Sequence, residues 1–166
     1  HLHSFYSQLD GLNSPEAIVK TAVEHGSPAI AITDHRNTNG HIKFYQECQK
    51  YGIKPLLGVE INETDDMTIK SRKERKDLGY DDYHLVLLPV NNEGYRDLLK
   101  VVTIAATEGY FDKTEQITAT RLEQYGKNLI STSACLGGRI PKLLVAYRYK
   151  DACYWAAYFK SIFHKF

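Results

Sequence analysis

No apolar run in this 166-residue chain approaches the ~20 residues that a membrane span requires, and no charged leader followed by an apolar stretch reads as a signal peptide. No membrane partner is expected, and the expected location is the cytoplasm. Cysteine is scarce: Cys48, Cys135 and Cys153 are an odd number at scattered spacings, which argues against a disulfide framework and leaves reduced thiols or metal ligands. Net charge is scarce too. With 21 Lys and Arg against 20 Asp and Glu, the formal charge is +1, so any nucleic-acid footprint has to be local. Internal repeats, low-complexity tracts and an interdomain linker are all missing. What remains is globular in composition, 43% hydrophobic and 25% charged, and long enough for one domain or part of a larger one. The chain opens on His1, inside what reads as a strand, and closes on Phe166 without a stop signal. Such abrupt ends are expected of a fragment.

The chain alternates between two patterns. Ser14-Pro15-Glu16 is an N-cap, a first-turn proline and an early acid ahead of AIVKTAVEH, and Gly26 supplies the stop, so a helix is predicted there. PAIAIT (28–33) reads as a buried strand. In GHIKFYQECQKYG the residues Ile42, Tyr45, Cys48 and Gln49 step at helical spacing. IKPLLGVEI and YHLVLLPV repeat the strand signature, and the helical run from Asn91 carries Leu98, Leu99, Val102 and Ala105 on one side. Thr120 to Glu123 is a capping-box pattern opening a short helix that Gly126 ends, and NLISTSA is a further strand. Strand–helix alternation predicts an α/β fold with a parallel sheet, open or closed into a barrel. Residues 62–82 are polar, charged and without a period, and read as an exposed insertion.

Chemistry in such folds gathers at the C-terminal ends of strands. Asp34 and His35 follow AIAIT, Glu60 lies near the end of PLLGVEI, and Cys135 follows ISTSA. His1 and His3 are two apart, so an extended segment points both to one face, with Asp10 a few residues on. Only His84 begins its apolar run and fits the rule poorly. Taken singly, each has an ordinary reading: Asp10 before Gly11 as a turn, Asp34 as a helix cap, Cys135 as a small buried side chain, His84 as a hydrogen-bonded structural histidine. Together they place imidazole, carboxylate and thiolate at the strand ends. That donor mix suits zinc, manganese or iron, and its size implies more than one ion, as used for hydroxide attack on phosphorus.

HLHSFYSQLDG, AIAITDHRNTNG, YGIKPLLGVEI, YHLVLLPVNNEGYRDLL and LISTSACLGGRIPKLL resemble, in order and spacing, the PHP (polymerase and histidinol phosphatase) domain found at the N-terminus of bacterial DNA polymerase III alpha subunits. The resemblance covers nearly the whole chain, and SACLGG and the GY block point to the polymerase branch. It implies a distorted (βα)7 barrel, incomplete here, as a partial PHP domain over residues 1–166. It further implies up to three divalent ions: His1, His3 and Glu60 on a first, Asp10 and His35 on a second, and Glu60, His84 and Cys135 on a third, with Glu60 bridging and with His35, Glu60 and Asp10 as the catalytic set. Asp34 is implied as an orienting hydrogen-bond acceptor. Arg36 stands where the family usually has glycine, and is expected to hold a phosphate. The family's final Asp and His motif and the polymerase palm lie outside these residues. The implied function is a metal-dependent phosphoesterase, a 3′–5′ proofreading exonuclease within a replicative polymerase, with primer–template DNA and other replicative subunits as partners. The alternatives are a structural module that braces the polymerase and docks a separate exonuclease, and a free-standing phosphatase of the histidinol-phosphate type. KSRKERK (70–76) reads as a solvated loop or, less favoured, a contact to DNA phosphates.

Overall fold

The computed structural model describes residues 1–166. Helix α1 (Pro15–Glu24) starts where its cap dictates: Ser14 Oγ accepts from the Ala17 N–H at 3.1 Å, and the chain turns away at Gly26 with φ 69°. Strand β1 (Ala29–His35) leads to α2 (His41–Tyr51), which ends on left-handed Gly52. Strand β2 (Lys54–Thr64) and α3 (Arg72–Asp77) precede β3 (Asp82–Pro89). Helix α4 (Asn92–Thr107) is capped by Asn91, which accepts from the Gly94 N–H at 2.8 Å. Then come β4 (Gln116–Thr118), α5 (Ala119–Leu122), β5 (Leu129–Thr132), α6 (Arg139–Val145) and α7 (Tyr149–Ile162). No helix is long and apolar enough to cross a membrane.

The five strands form one mixed, open sheet in the order β1-β2-β3-β5. β1 runs parallel to residues 54–60 of β2, and β4 runs parallel to residues 62–64, so β1 and β4 follow one another along the same edge of β2. β3 is antiparallel to β2, and β5 antiparallel to β3. The expected parallel sheet is therefore corrected, and the sheet is not closed. Apolar runs carry no sign of strand direction; the connection does, and the 65–81 segment with α3 returns the chain on itself.

Several local readings change for the same reason, that neighbours and not periodicity decide burial. The insertion begins later than expected, because Asn62, Glu63 and Thr64 are buried between β3 and β4 and complete β2. Residues 1–4 form no strand, but run beside β1 and exchange a bond with it, the Thr33 N–H donating to Leu2 O at 2.9 Å. On α2 the buried face is His41, Phe44 and Cys48, while Ile42 and Tyr45 are exposed. On α4 it is Leu98, Val101 and Ala105, with Leu99 outside. Thr118, not Thr120, caps α5 and accepts from the Arg121 N–H.

Two apolar clusters frame the sheet. Ile18, Val19 and Ala22 of α1 pack with Ile32, Phe44, Cys48 and Ile53. Val59 and Ile61 of β2 pack with Leu85, Leu87, α4 and the aromatic residues Phe159 and Phe163. Along β2 the side chains alternate, so Glu60, between Val59 and Ile61, faces away from their cluster, as does Asn62.

Candidate metal centre

The mixed sheet explains where His84 lies. Because β3 opposes β2, its beginning meets the C-terminal end of β2, and His84 pairs with Asn62 across the ladder. β5 runs with β2 again, so Cys135 beyond its end arrives at the same rim. Strand direction thus brings His84 to the end at which β1 delivers His35 and β2 delivers Glu60.

Asp34 anchors the N-terminal segment. Fully buried, it accepts from the Ser4 N–H at 2.7 Å, from Ser4 Oγ at 2.8 Å and from Ser7 Oγ at 2.7 Å. The Leu2 N–H donates to Thr33 Oγ1 at 2.7 Å, and Leu2 packs against the α1–α2 cluster. With Leu2 held inward, His1 and His3 both turn to Glu60.

Glu60 is the centre of the arrangement and has no exposed surface. Oε2 meets Nε2 of His1 and, at 3.1 Å, Nε2 of His3. Oε1 lies 2.6 Å from His84 Nδ1 and 3.4 Å from His35 Nδ1. His35 Nε2 reaches Asp10 Oδ2 at 2.9 Å, its ring stacks on His3 with centroids 4.1 Å apart, and Cys135 Sγ is 3.5 Å from His84 Nδ1. Donor atoms fall into three groups, each within 4.8 Å: His1, His3 and Glu60; His3, Asp10 and His35; His1, His84 and Cys135. Burial works to raise the Glu60 carboxyl, but His35 and His84 outweigh it and hold it down to about 2. Glu60 in turn raises His35 and His84 against the opposing effect of burial, whereas burial and the neighbouring His35 lower His3.

The loop carrying Cys135 is shaped by its glycines. The Gly137 N–H donates to Cys135 Sγ at 3.3 Å, and its carbonyl accepts from the His84 N–H at 3.1 Å. A side chain at Gly137 would put its Cβ 3.2 Å from the His84 ring. The close approach of loop and imidazole favours glycine there, because any Cβ would push the His84 ring by a few tenths of an ångström.

A family model described as the PHP domain matches residues 1–166. The chain belongs to the PHP domain family. It is 44% identical over 163 residues to DNA polymerase III subunit alpha of Borreliella burgdorferi, covering 98% of this chain and 14% of that protein. To DNA polymerase III subunit alpha of Treponema pallidum it is 36% identical over 165 residues, with the same coverages of 98% and 14%. This PHP domain thus spans 14% of the length of these curated relatives. A solved structure described as a candidate metal-dependent phosphoesterase of Bifidobacterium adolescentis is 22% identical, covers 63% of this chain and 31% of its own, and has a TM-score of 0.45, too loose a likeness to carry an argument.

The PHP domain brings His1, His3, Asp10, His35, Glu60, His84 and Cys135 into one cluster, and leaves the two other singled-out residues outside it. Asp34 turns to Ser4 and Ser7. Arg36 has φ 56° and donates from Nε to Glu115 at 2.9 Å. KSRKERK is not a uniformly solvated loop: Arg75 is buried and donates to Gln116 at 2.9 Å and Asp82 at 2.6 Å, Arg72 pairs with Asp112, and Lys70 bonds the carbonyls of Glu108 and Tyr110. Sequence reasoning missed Ser4, Ser7 and Glu115, since polar residues in loops that pair with distant positions carry no spacing signal.

Proposed function

We propose that this PHP domain is a metal-dependent phosphoesterase that trims the 3′ end of a nucleic-acid strand, a 3′–5′ proofreading module within a replicative polymerase. The observation that carries the reading is the surrounding of Glu60. A fully buried carboxylate is faced by four imidazoles, yet Glu60 Oε1 and His35 Nδ1 have no aligned hydrogen-bond partner. Buried polar atoms are normally paired, and imidazole nitrogens gathered around a carboxylate oxygen that lacks an aligned partner are complementary to cations.

His1, His3 and Glu60 would hold one divalent ion, Asp10 and His35 a second, and His84 and Cys135 a third, with Glu60 within reach of His35 and His84 as well; His1 and His3, which lie near two groups each, have one lone pair to give and would serve one ion each. The thiolate of Cys135 favours zinc over manganese or iron at the last of these. When bound, such ions supply a hydroxide at neutral pH and polarise the phosphoryl oxygens. The protein's share is to fix the donors: Asp34 locks the His1–His3 segment to β1, the Gly137 carbonyl orients His84, and the ionised state of Glu60 keeps one negative charge centred among the imidazoles. The open sheet is read as the part of a barrel that further strands of the longer protein complete. Primer–template DNA and other replicative subunits are the proposed partners.

The test is the full-length protein, assayed for metal by elemental analysis and for release of nucleotides from mismatched 3′ ends. Bound metal with turnover that Glu60→Gln abolishes supports the reading. Bound metal without hydrolysis of any phosphoester replaces it with a structural role for the domain.

A further inference from the structure

Beside the cleft lies a second, polar pocket of about 320 Å³, lined among others by His35, Arg36, Asn37, Asn39, Lys113 and Glu115. His35 belongs to both, so the pocket borders the candidate metal centre. Two cations line it against one carboxylate. Both cations sit in conformations that suit glycine. Arg36 has φ 56°; Asp112 and Lys113, at φ 53° and 66°, are the central pair of a two-residue turn closed by Phe111 and Thr114 through bonds of 2.9 and 3.0 Å. Such a turn favours Asn-Gly, and a long cation in a left-handed conformation is uncommon. Strained backbone of this kind concentrates where a side chain must be presented to a ligand. Only Nε of Arg36 is engaged, by Glu115, and its two terminal nitrogens make no hydrogen bond within the protein. A guanidinium with one edge fixed and the other free is suited to a phosphate oxygen pair.

We infer that Arg36 and Lys113 form a subsite for a second phosphate group of the substrate, next to the phosphate that reacts. The inference rests on the phosphoesterase reading and deepens it by placing the neighbouring phosphate at Arg36 and Lys113; a nucleotide strand or a small bisphosphate supplies such a group. The competing explanation is that the Arg36–Glu115 pair merely joins the end of β1 to the start of β4, which lie in succession along β2.

The two explanations differ in sign. In the full-length, metal-loaded protein, calorimetry would compare thymidine 5′-monophosphate, thymidine 3′,5′-bisphosphate and 5′-phosphorylated dithymidylate with a phosphorothioate link. Arg36→Gly and Lys113→Gly relieve strained backbone, so folding is favoured in both. Each should lower the preference for a two-phosphate ligand over the monophosphate by about tenfold or more, the loss of one charge-assisted bond. Glu115→Gln should raise that preference by freeing Arg36 from its counter-charge. A loss confined to the dinucleotide identifies a strand, and a loss confined to the bisphosphate identifies a small molecule. Glu115→Gln and Arg36→Gly shifting the preference in the same direction, or Arg36→Gly leaving it unchanged, would overturn the subsite. If the wild-type protein hydrolyses none of the phosphoesters yet shows the tenfold loss, the phosphoesterase reading fails and the phosphate subsite stands.

Discussion

Replacing Asp34 by alanine should release the segment that carries His1 and His3. Asp34 is fully buried and accepts three bonds of 2.7–2.8 Å from Ser4 and Ser7. Bonds to a charged acceptor contribute about 1.5–3 kcal/mol each, and Ser4 and Ser7 are themselves buried, so with the segment relaxing to rehydrate them roughly 3–5 kcal/mol of local stability should be lost. The remaining ties of the segment to β1 are three Leu2–Thr33 bonds of 2.7, 2.9 and 3.1 Å, the His35 N–H donating to Ser7 Oγ at 3.0 Å, and His35 Nε2 with Asp10 Oδ2 at 2.9 Å, all at the two ends of the segment. Amide exchange at residues 2–10 should therefore accelerate ~100-fold or more, while that of β3 and α4 stays as it was. Metal content should fall, since His1 and His3 enter all three donor groups. Asp34→Asn keeps the shape and one acceptor and should cost about 1–2 kcal/mol, with partial retention of metal. An Asp34→Ala protein with full metal content and unaltered exchange at residues 2–10 would refute the claim that this carboxylate organises the site.

Cys135→Ala should remove the one sulfur donor, lowering zinc affinity and abolishing the thiolate charge-transfer band of the cobalt-substituted protein. Gly137→Ala places a Cβ 3.2 Å from the His84 ring, and the displacement should cost roughly 1–3 kcal/mol in thermal unfolding and reduce metal content further than a surface glycine change does. His35 and His84 have raised pKa values in the metal-free protein, so their contribution to stability is complete below about 6.5 and is lost as pH rises through the folded values; His3, lowered, acts against these two. Chelated protein should thus unfold more easily as pH rises through neutrality, whereas zinc affinity, measured by competition, should increase over the same range because protons leave the ligands. Arg75→Met should destabilise the domain by about 1–3 kcal/mol through the lost bonds to Gln116, Thr64 and Asp82, whereas Lys73→Ser and Lys76→Ser should stay within about 0.5 kcal/mol, as seen by denaturant unfolding.

What the sequence by itself determined is local. The caps at Ser14 and Asn91, the stops at Gly26 and Gly52 and the apolar cores of β1, β2 and β3 follow from short-range chemistry that any surrounding fold would respect. So does the supply of donor types, two histidines flanking Leu2 and a carboxylate interrupting an apolar run at Glu60. Strand direction was not legible, because an apolar run reads the same from either end. His84 looked misplaced for that reason, and only the antiparallel pairing of β3 with β2 carries it to the rim that holds Glu60. Burial of polar residues was not legible either. Asn62, Glu63 and Thr64 look like loop until β3 and β4 flank them, and Ile42 and Tyr45 look like core until α2 turns His41, Phe44 and Cys48 inward instead. Asp34 shows the same limit most sharply: a lone Asp after a strand is compatible with a helix cap, a ligand or a tether, and only the arrival of Ser4 and Ser7 from across the fold makes it the tether, since hydrogen bonds between residues 27 and 30 positions apart leave no periodic mark on the chain.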